Sequence, residues 1–125
     1  MTDAINPSLL VADAQNALES GDRERAESLL RTAATSGDAV ANAMLAWLLH
    51  RKGALDDAEM FARRAIAIDP GDGQTAARLG AILMDKGAVL EAIGYFQSAS
   101  LAMPESAELH NDLGNALAAV ERTEE

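Results

Sequence analysis

Cysteine is absent from this 125-residue sequence, and aromatic residues are scarce. The lack of cysteine excludes disulfide bonds and thiolate chemistry. The only aromatic residues are Trp47, Phe61, Tyr95 and Phe96. β-Branched residues are also few whereas alanine is abundant, and this composition favours closely packed helices over a β-sheet.

Basic residues are outnumbered, with 10 Lys and Arg against 20 Asp and Glu, which leaves a net charge of −10. Proteins that bind nucleic acid or anionic membranes neutralise phosphates with clustered Lys and Arg. Here the basic residues are mostly scattered along the sequence, so neither nucleic acid nor a membrane surface is expected as a partner.

Long apolar runs are missing as well. No segment approaches the roughly 20 apolar residues that cross a membrane. The N-terminus reads MTDAINPSLLVADAQ, without the basic start and the apolar run of a secretory signal peptide. These observations predict a cytoplasmic protein.

Three segments align without gaps and predict a repeated unit. They read GDRERAESLLRTA (21–33), GALDDAEMFARRA (53–65) and GAVLEAIGYFQSA (87–99). Their first glycines, Gly21, Gly53 and Gly87, are 32 and 34 residues apart, and an alanine follows each glycine at the same two distances. A repeat of this length indicates a stack of similar units.

Each unit is interpreted as two antiparallel helices joined by a glycine. Glycine ends the first helix, because it adopts a left-handed conformation at little cost. The small residues, such as Ala58, Ala92 and Ala99, would let neighbouring helices approach closely. Pro70 and Pro104 end the second helix of two units, since proline cannot continue the hydrogen-bond ladder.

These units resemble tetratricopeptide repeats, whose period is 34 residues. The best match is the segment 73–106, which carries the signature residues Leu79, Gly80, Leu83, Gly87, Ala92, Phe96, Ala99 and Pro104. The junction at residues 33–46 is more similar to a Sel1-type repeat. The resemblance covers nearly the whole chain and implies an all-α fold, a right-handed solenoid of antiparallel helix pairs with about seven helices.

The repeat register predicts the organisation of the chain. An N-terminal tail (1–6) precedes a divergent first repeat (7–38), a second repeat (39–72) and a third repeat (73–106), and residues 107–125 form the first helix of a fourth repeat or a capping helix. The helices are expected at 7–19, 23–35, 39–52, 55–68, 73–86, 89–102 and 106–120. The last residues, VERTEE, are expected to turn towards a further helix, as in a fragment of a longer protein.

Catalytic and cofactor motifs are not apparent. The sequence lacks the phosphate-binding patterns GxxxxGK[ST] and GxGxxG. The two histidines, His50 and His110, fall in different units, and His110 is expected to be a partly buried structural residue. A metal site needs several converging ligands. We therefore expect no enzyme activity, no cofactor and no metal.

Function is expected on the concave wall of the solenoid. In the family that these repeats resemble, the first helix of each repeat forms this wall, and the wall holds segments of partner proteins. The register places ten candidate partner-binding residues there: Met44, Trp47, His50, Arg51, Gln74, Arg78, Met84, Asp85, Asn111 and Asn115.

Trp47 leaves two alternatives open. It lies off the apolar stripe of Leu45, Leu48 and Leu49, so it is interpreted as an exposed anchor for a partner or as a packing residue, and the two roles are compatible. In the second case it would contact Ala77 or Ala81, or form a cation–π contact with Arg78.

Some members of the family clamp the C-terminal carboxylate of a chaperone with Lys and Asn at set positions of the wall. In this sequence those positions hold Ala43, Trp47, Arg78, Glu108 and Asp112. Only Arg78 suits an anion, and the two acids would repel one, so this clamp is not expected.

Three hypotheses for function follow. The first is a protein-interaction module or scaffold that binds a peptide segment of a partner protein in its groove. The second is the N-terminal arm of a longer enzyme, such as a transferase or a hydroxylase, that recruits a protein substrate. The third is formation of a homodimer through an uncovered apolar stripe on the last helix, made of Leu109, Leu113, Leu117 and Val120.

Overall fold

The computed structural model describes residues 6–124, which form seven α-helices and no strand. The helices are α1 (Pro7–Glu19), α2 (Arg23–Thr35), α3 (Ala39–Lys52), α4 (Leu55–Ile68), α5 (Gly73–Asp85), α6 (Val89–Ala102) and α7 (Ala107–Glu124). The predicted all-α fold is confirmed. The predicted tail lies, except for Asn6, outside the described residues.

The predicted turn at residues 120–125 is wrong within the described part of the chain. Helix α7 continues through this segment to Glu124 instead of ending at residue 120. The run AAVERTE contains good helix formers and neither glycine nor proline, so nothing local stops the helix.

Glycines end the first helix of each pair, as predicted. Gly53 follows α3 with a φ of 87°, and Gly87 follows α5 with a φ of 84°. At both places the amide of the next residue donates back to the preceding helix, from Ala54 to Leu49 O at 2.9 Å and from Ala88 to Leu83 O at 2.8 Å. These bonds satisfy carbonyl groups that the helix end would leave free.

Aspartates begin three of the helices. The side chains of Asp22, Asp38 and Asp72 accept hydrogen bonds from amides in the first turns of α2, α3 and α5. Each carboxylate satisfies an amide that has no partner within the helix, and it also interacts favourably with the helix dipole.

The core is built largely from the repeated small residues. Ala26, Ala58 and Ala92 are completely buried, and so are Ala33 and Ala99. Large side chains, among them Leu30, Leu45, Leu79 and Phe96, fill the space between the helices. The predicted role of the alanines in close helix packing is therefore confirmed.

A charged cluster joins α2 to the second repeat. The carboxylate of Glu27 lies 3.2 Å from Arg31 on the same helix and 3.1 Å from Lys52 at the end of α3. The guanidinium of Arg31 also lies 5.5 Å from the centre of the Phe61 ring on α4.

The same cluster recurs one repeat later. The carboxylate of Glu59 lies 2.8 Å from Arg63 and 2.6 Å from Lys86 at the end of α5. Arg63 lies 5.8 Å from the centre of the Tyr95 ring and donates a hydrogen bond to its hydroxyl at 3.1 Å. The repetition of both clusters at equivalent positions indicates that they hold successive repeats in register.

The helices stack in sequence order, and the stack is curved. Each helix packs against its neighbours in the chain, and α1, α3, α5 and α7 also approach one another in succession. Among the described helices, the backbones of α2, α4 and α6 do not approach one another in this way, and only long side chains such as Arg31 and Arg63 bridge them. The odd-numbered helices therefore form the inner, concave wall.

Two residues of the last helix differ from expectation. Leu109 is only 2 % exposed, because α7 packs against α5 and α6, so it does not belong to an uncovered stripe. His110 is exposed rather than partly buried, and its Nε2 lies 2.8 Å from the carbonyl oxygen of Pro104.

None of the helices between residues 6 and 124 is both long enough and apolar enough to cross a membrane.

Candidate functional site

Two adjoining cavities line the concave wall, and we call them together the inner groove. The central cavity, of about 410 Å³, lies between α1, α3 and α5. The C-terminal cavity, of about 360 Å³, lies between α3, α5 and α7. Gln74 and Arg78 on α5 line both, so the groove passes from one cavity to the other along this helix.

The central cavity has an apolar floor and a polar side. Leu18, Met44 and Trp47 supply the large apolar side chains, and Asp72 and Arg78 supply opposite charges. Such a surface suits a ligand with an apolar side chain beside polar backbone groups.

The C-terminal cavity is more polar and contains two carboxylates. Glu108 and Asp112 lie one turn apart on α7 and face Arg78 and His50 across the cavity. Burial raises the pKa of Asp112, and the neighbouring charge of Glu108 raises it further.

A third cavity, of about 450 Å³, adjoins the central one at Leu18 and Trp47, and we call it the N-terminal cavity. Arg51 and Lys52 from α3 and Arg23 from α2 supply its basic side chains.

Trp47 lies where the N-terminal and central cavities meet, and it is half-buried. Its ring packs against the core. The guanidinium carbon of Arg51, one turn along the same helix, lies 5.1 Å from the centre of the ring. Within residues 6–122 no cation–π contact joins Trp47 to Arg78, so that part of the packing alternative is wrong, whereas packing of the ring itself is observed.

Arg78 is the most confined cation of the groove. Burial lowers its pKa, and the charge of Asp72 acts in the opposite direction. Among the residues that the structure describes, no carboxylate lies within 4 Å of Arg78. Its donor groups therefore remain available to a ligand.

His50 and Asp85 form a pair that the sequence did not indicate. Nε2 of His50 on α3 lies 2.6 Å from Oδ2 of Asp85 on α5. The sequence placed each residue separately on the concave wall. Their contact depends on the spacing of two neighbouring helices, and no local pattern reports that spacing.

Solved structures of other proteins resemble this architecture over nearly all of its length. The first tetratricopeptide-repeat domain of Spaghetti (RPAP3), bound to the HSP90 peptide SRMEEVD, matches 96 % of this chain and 97 % of its own, with 18 % identity and a TM-score of 0.88. The second such domain of human RPAP3, in complex with the HSP70 peptide SGPTIEEVD, matches 89 % of this chain and 98 % of its own, with 20 % identity and a TM-score of 0.79.

This chain has the tetratricopeptide-repeat fold.

An O-GlcNAc transferase variant from Thermobaculum terrenum also contains this fold. It is 27 % identical with a TM-score of 0.79, and the match covers 89 % of this chain but only 22 % of the transferase. No protein-family model matches the sequence. No curated protein matches it either.

The tetratricopeptide fold brings five of the ten candidate residues into the inner groove: Met44, Trp47, His50, Gln74 and Arg78. Arg51 lines the adjoining N-terminal cavity. Met84 is half-buried and packs against the core, and the carboxylate of Asp85 is paired with His50.

Asn111 and Asn115 are exposed on α7, whereas the lining of the C-terminal cavity from this helix comes from Glu108, Leu109 and Asp112. The two asparagines therefore lie at the margin of the cavity. Whether any of the ten residues touches a partner stays a prediction.

Two lining residues of the first tetratricopeptide repeat were not among the candidates. Gln15 and Leu18 on α1 face the central cavity. They precede Trp47 and His50 by 32 residues, the same distance that separates Gly21 from Gly53. Extending the register into the divergent first repeat would have identified both.

Between residues 6 and 124, no group of three or more His, Asp or Glu side chains is arranged to hold a metal ion.

Proposed function

We propose that this protein is a non-catalytic interaction module that binds an extended peptide segment of a partner protein in the inner groove. The observation that carries this proposal is the placement of Trp47 at the junction of two cavities, half-buried and backed by the core. A rigid aromatic side chain in such a position is typical of a binding hot spot.

The groove offers the two kinds of contact that peptide binding needs. Leu18, Met44 and Trp47 can cover an apolar side chain. Arg78 and Gln74 can donate hydrogen bonds to the carbonyl groups of an extended backbone, which has no partners of its own.

Two of the similar structures hold peptides, and this supports a peptide as the ligand class. Both peptides end in the acidic sequence EEVD. The carboxylates of Glu108 and Asp112 would repel such an end, so we propose a different peptide sequence for this groove.

Selection from a random peptide library displayed on phage tests the proposal. Selected peptides should bind the wild-type protein. The substitution Trp47→Ala should weaken their binding by about 2 kcal/mol or more. Leu90→Ala is the matched control, because Leu90 is 76 % exposed on the outer helix α6. Failure to select any peptide, or equal affinity of Trp47→Ala, would contradict groove binding.

A second candidate is a recruiting arm within a longer enzyme. It is favoured by the similarity to the transferase, of which the matching part is only 22 %. An immunoblot of the native protein would separate the two candidates: a mass well above 13.1 kDa supports the arm, and a mass of 13.1 kDa excludes it.

We also propose weak self-association through α7. Leu117 is 46 % exposed, and Leu113 beside it is half-buried. Burying one leucine at a dimer contact contributes about 1.5–3 kcal/mol.

A further inference from the structure

The N-terminal cavity and the inner groove together form a continuous surface, whose two ends carry different charges. In the N-terminal cavity, Glu27 is already paired with Lys52 and Arg31. Arg23 and Arg51 have no carboxylate within 4 Å among the described residues. The unpaired charge at this end is therefore mainly basic, with Glu24 as the one opposing lining residue.

The guanidinium of Arg51 is suited to bind an anion. Its guanidinium carbon lies over the Trp47 ring, 5.1 Å from the ring centre, and no carboxylate of the described residues lies within 4 Å of its nitrogens. A guanidinium without a carboxylate partner can donate two parallel hydrogen bonds to a carboxylate.

The opposite end is mainly acidic, with Arg78 as the one arginine or lysine in its lining. Glu108 and Asp112 lie at positions i and i+4 of α7, and both line the C-terminal cavity. Like charges at this spacing repel each other. Within residues 6–122 neither carboxylate has a cation within 4 Å, so a cation supplied by a ligand would relieve the repulsion.

Between the two ends lies the apolar floor of Leu18, Met44 and Trp47. A ligand that spans the N-terminal cavity and the inner groove thus meets basic, apolar and acidic surfaces in turn.

We infer that the partner segment has a matching charge order: an acidic side chain beside Arg51, an apolar side chain on Trp47, and a basic side chain between Glu108 and Asp112. This inference rests on the proposed function and narrows it to one class of peptide. Complementary charges at both ends also set the register of the bound segment.

Three synthetic peptides with blocked termini and the same apolar centre test the charge order. The first has acidic residues on one flank and basic residues on the other, the second has two acidic flanks, and the third has two basic flanks. Binding is measured by calorimetry and by the emission of Trp47, the only tryptophan in the chain. The first peptide should bind about tenfold more tightly than the other two, since each flank adds a partly exposed ion pair.

A charge reversal provides the second arm. The double variant Glu108→Lys and Asp112→Lys should prefer the peptide with two acidic flanks. The control, Asp13→Lys and Glu121→Lys, makes the same change in net charge at exposed positions outside the groove, and it should keep the wild-type order. Circular dichroism of every variant checks that the helices are intact.

The outcomes separate the inference from the proposed function. Equal affinity for the three peptides, or an unchanged preference in the reversed variant, overturns the charge order and leaves groove binding in place. Absence of binding by all three, together with failure of the library selection, overturns both.

Discussion

Gly80 on α5 lies directly against the ring of Phe96 on α6. A Cβ atom added to Gly80 would be 2.7 Å from Cε1 and 2.8 Å from Cδ1 of that ring. Phe96 is 1 % exposed, so its ring is enclosed by neighbouring parts of the protein. The previous repeat has Ala46 and Ala62 at the corresponding positions, both completely buried. Alanine therefore occupies the first position where its partner is small, and glycine occupies it where the partner is phenylalanine.

Gly80→Ala should lower the free energy of unfolding, although alanine is the better helix former. Overpacking a tight core costs about 1–3 kcal/mol, and the gain in helix propensity is at most about 1 kcal/mol. Urea denaturation monitored by circular dichroism measures the difference. Gly94→Ala is the control, because Gly94 lies within α6 with nothing within 4 Å of an added Cβ, and it should stabilise the protein. A Gly80→Ala variant as stable as Gly94→Ala would show that the contact is not tight.

The charged clusters between repeats predict an acid-sensitive part of the stability. Hydrogen bonds from Lys86 and Arg63 hold the pKa of Glu59 below its ordinary value of 4.5. Because the unfolded state then binds the proton more readily than the folded state, this stabilisation is present above pH 4.5 and is lost as the pH falls through the lowered pKa.

Glu59→Gln should therefore destabilise the protein at neutral pH and reduce the loss of stability on acidification. Urea denaturation at pH values between about 7 and 3 gives both quantities. Glu19→Gln, an exposed change at the end of α1, should keep the wild-type pH profile. If both variants lose stability in parallel with the wild type, the cluster does not contribute to the pH dependence.

A buried amide predicts a stabilising substitution. Asn42 on α3 is 1 % exposed, and its Oδ1 lacks a hydrogen-bond partner within the described residues. Its Nδ2 donates to the carbonyl of Asp38 at 2.8 Å, but that oxygen also accepts from the backbone amide of Asn42. Asn42→Leu should raise the free energy of unfolding by about 1 kcal/mol, because an unsatisfied buried acceptor is removed and apolar area is gained.

Thermal and urea denaturation of Asn42→Leu give this value, with Asn16→Leu as the exposed control, which should change stability by less than about 0.5 kcal/mol. A destabilised Asn42→Leu would contradict this prediction.

Self-association through α7 makes a prediction about mass. Light scattering at increasing protein concentration should show a dimer of the wild type, and Leu117→Glu should shift it to the monomer, because a charge cannot be buried unpaired at the contact. Leu9→Glu, at a residue 64 % exposed on α1, should leave the dimer intact. A monomeric wild type at every concentration would eliminate the proposal.

Helix positions were predictable because they depend on short segments. Asp22, Asp38 and Asp72 mark helix starts through bonds to amides two or three residues away. Gly53 and Gly87 mark helix ends through a backbone conformation that most residues avoid. The extension of α7 beyond residue 120 was missed, since the segment VERTEE was interpreted as a turn although it contains no residue that breaks a helix.

For the candidate site, the sequence predicted only which residues lie on the concave wall. The register placed Met44, Trp47, His50, Gln74 and Arg78 on the concave wall, and each lines the groove. Which side chains meet could not be inferred, because contacts across helices depend on the crossing distance and on rotamers.

The amino-acid sequence alone determined the number of helices, most of their ends and the burial of the repeated alanines, since these follow from local hydrogen bonding and from a period of small residues. Only the tertiary structure decided that Arg51 covers Trp47, that His50 pairs with Asp85 and that Leu109 is buried. The physical reason is that side chains with a similar periodic position acquire different neighbours once the helices pack.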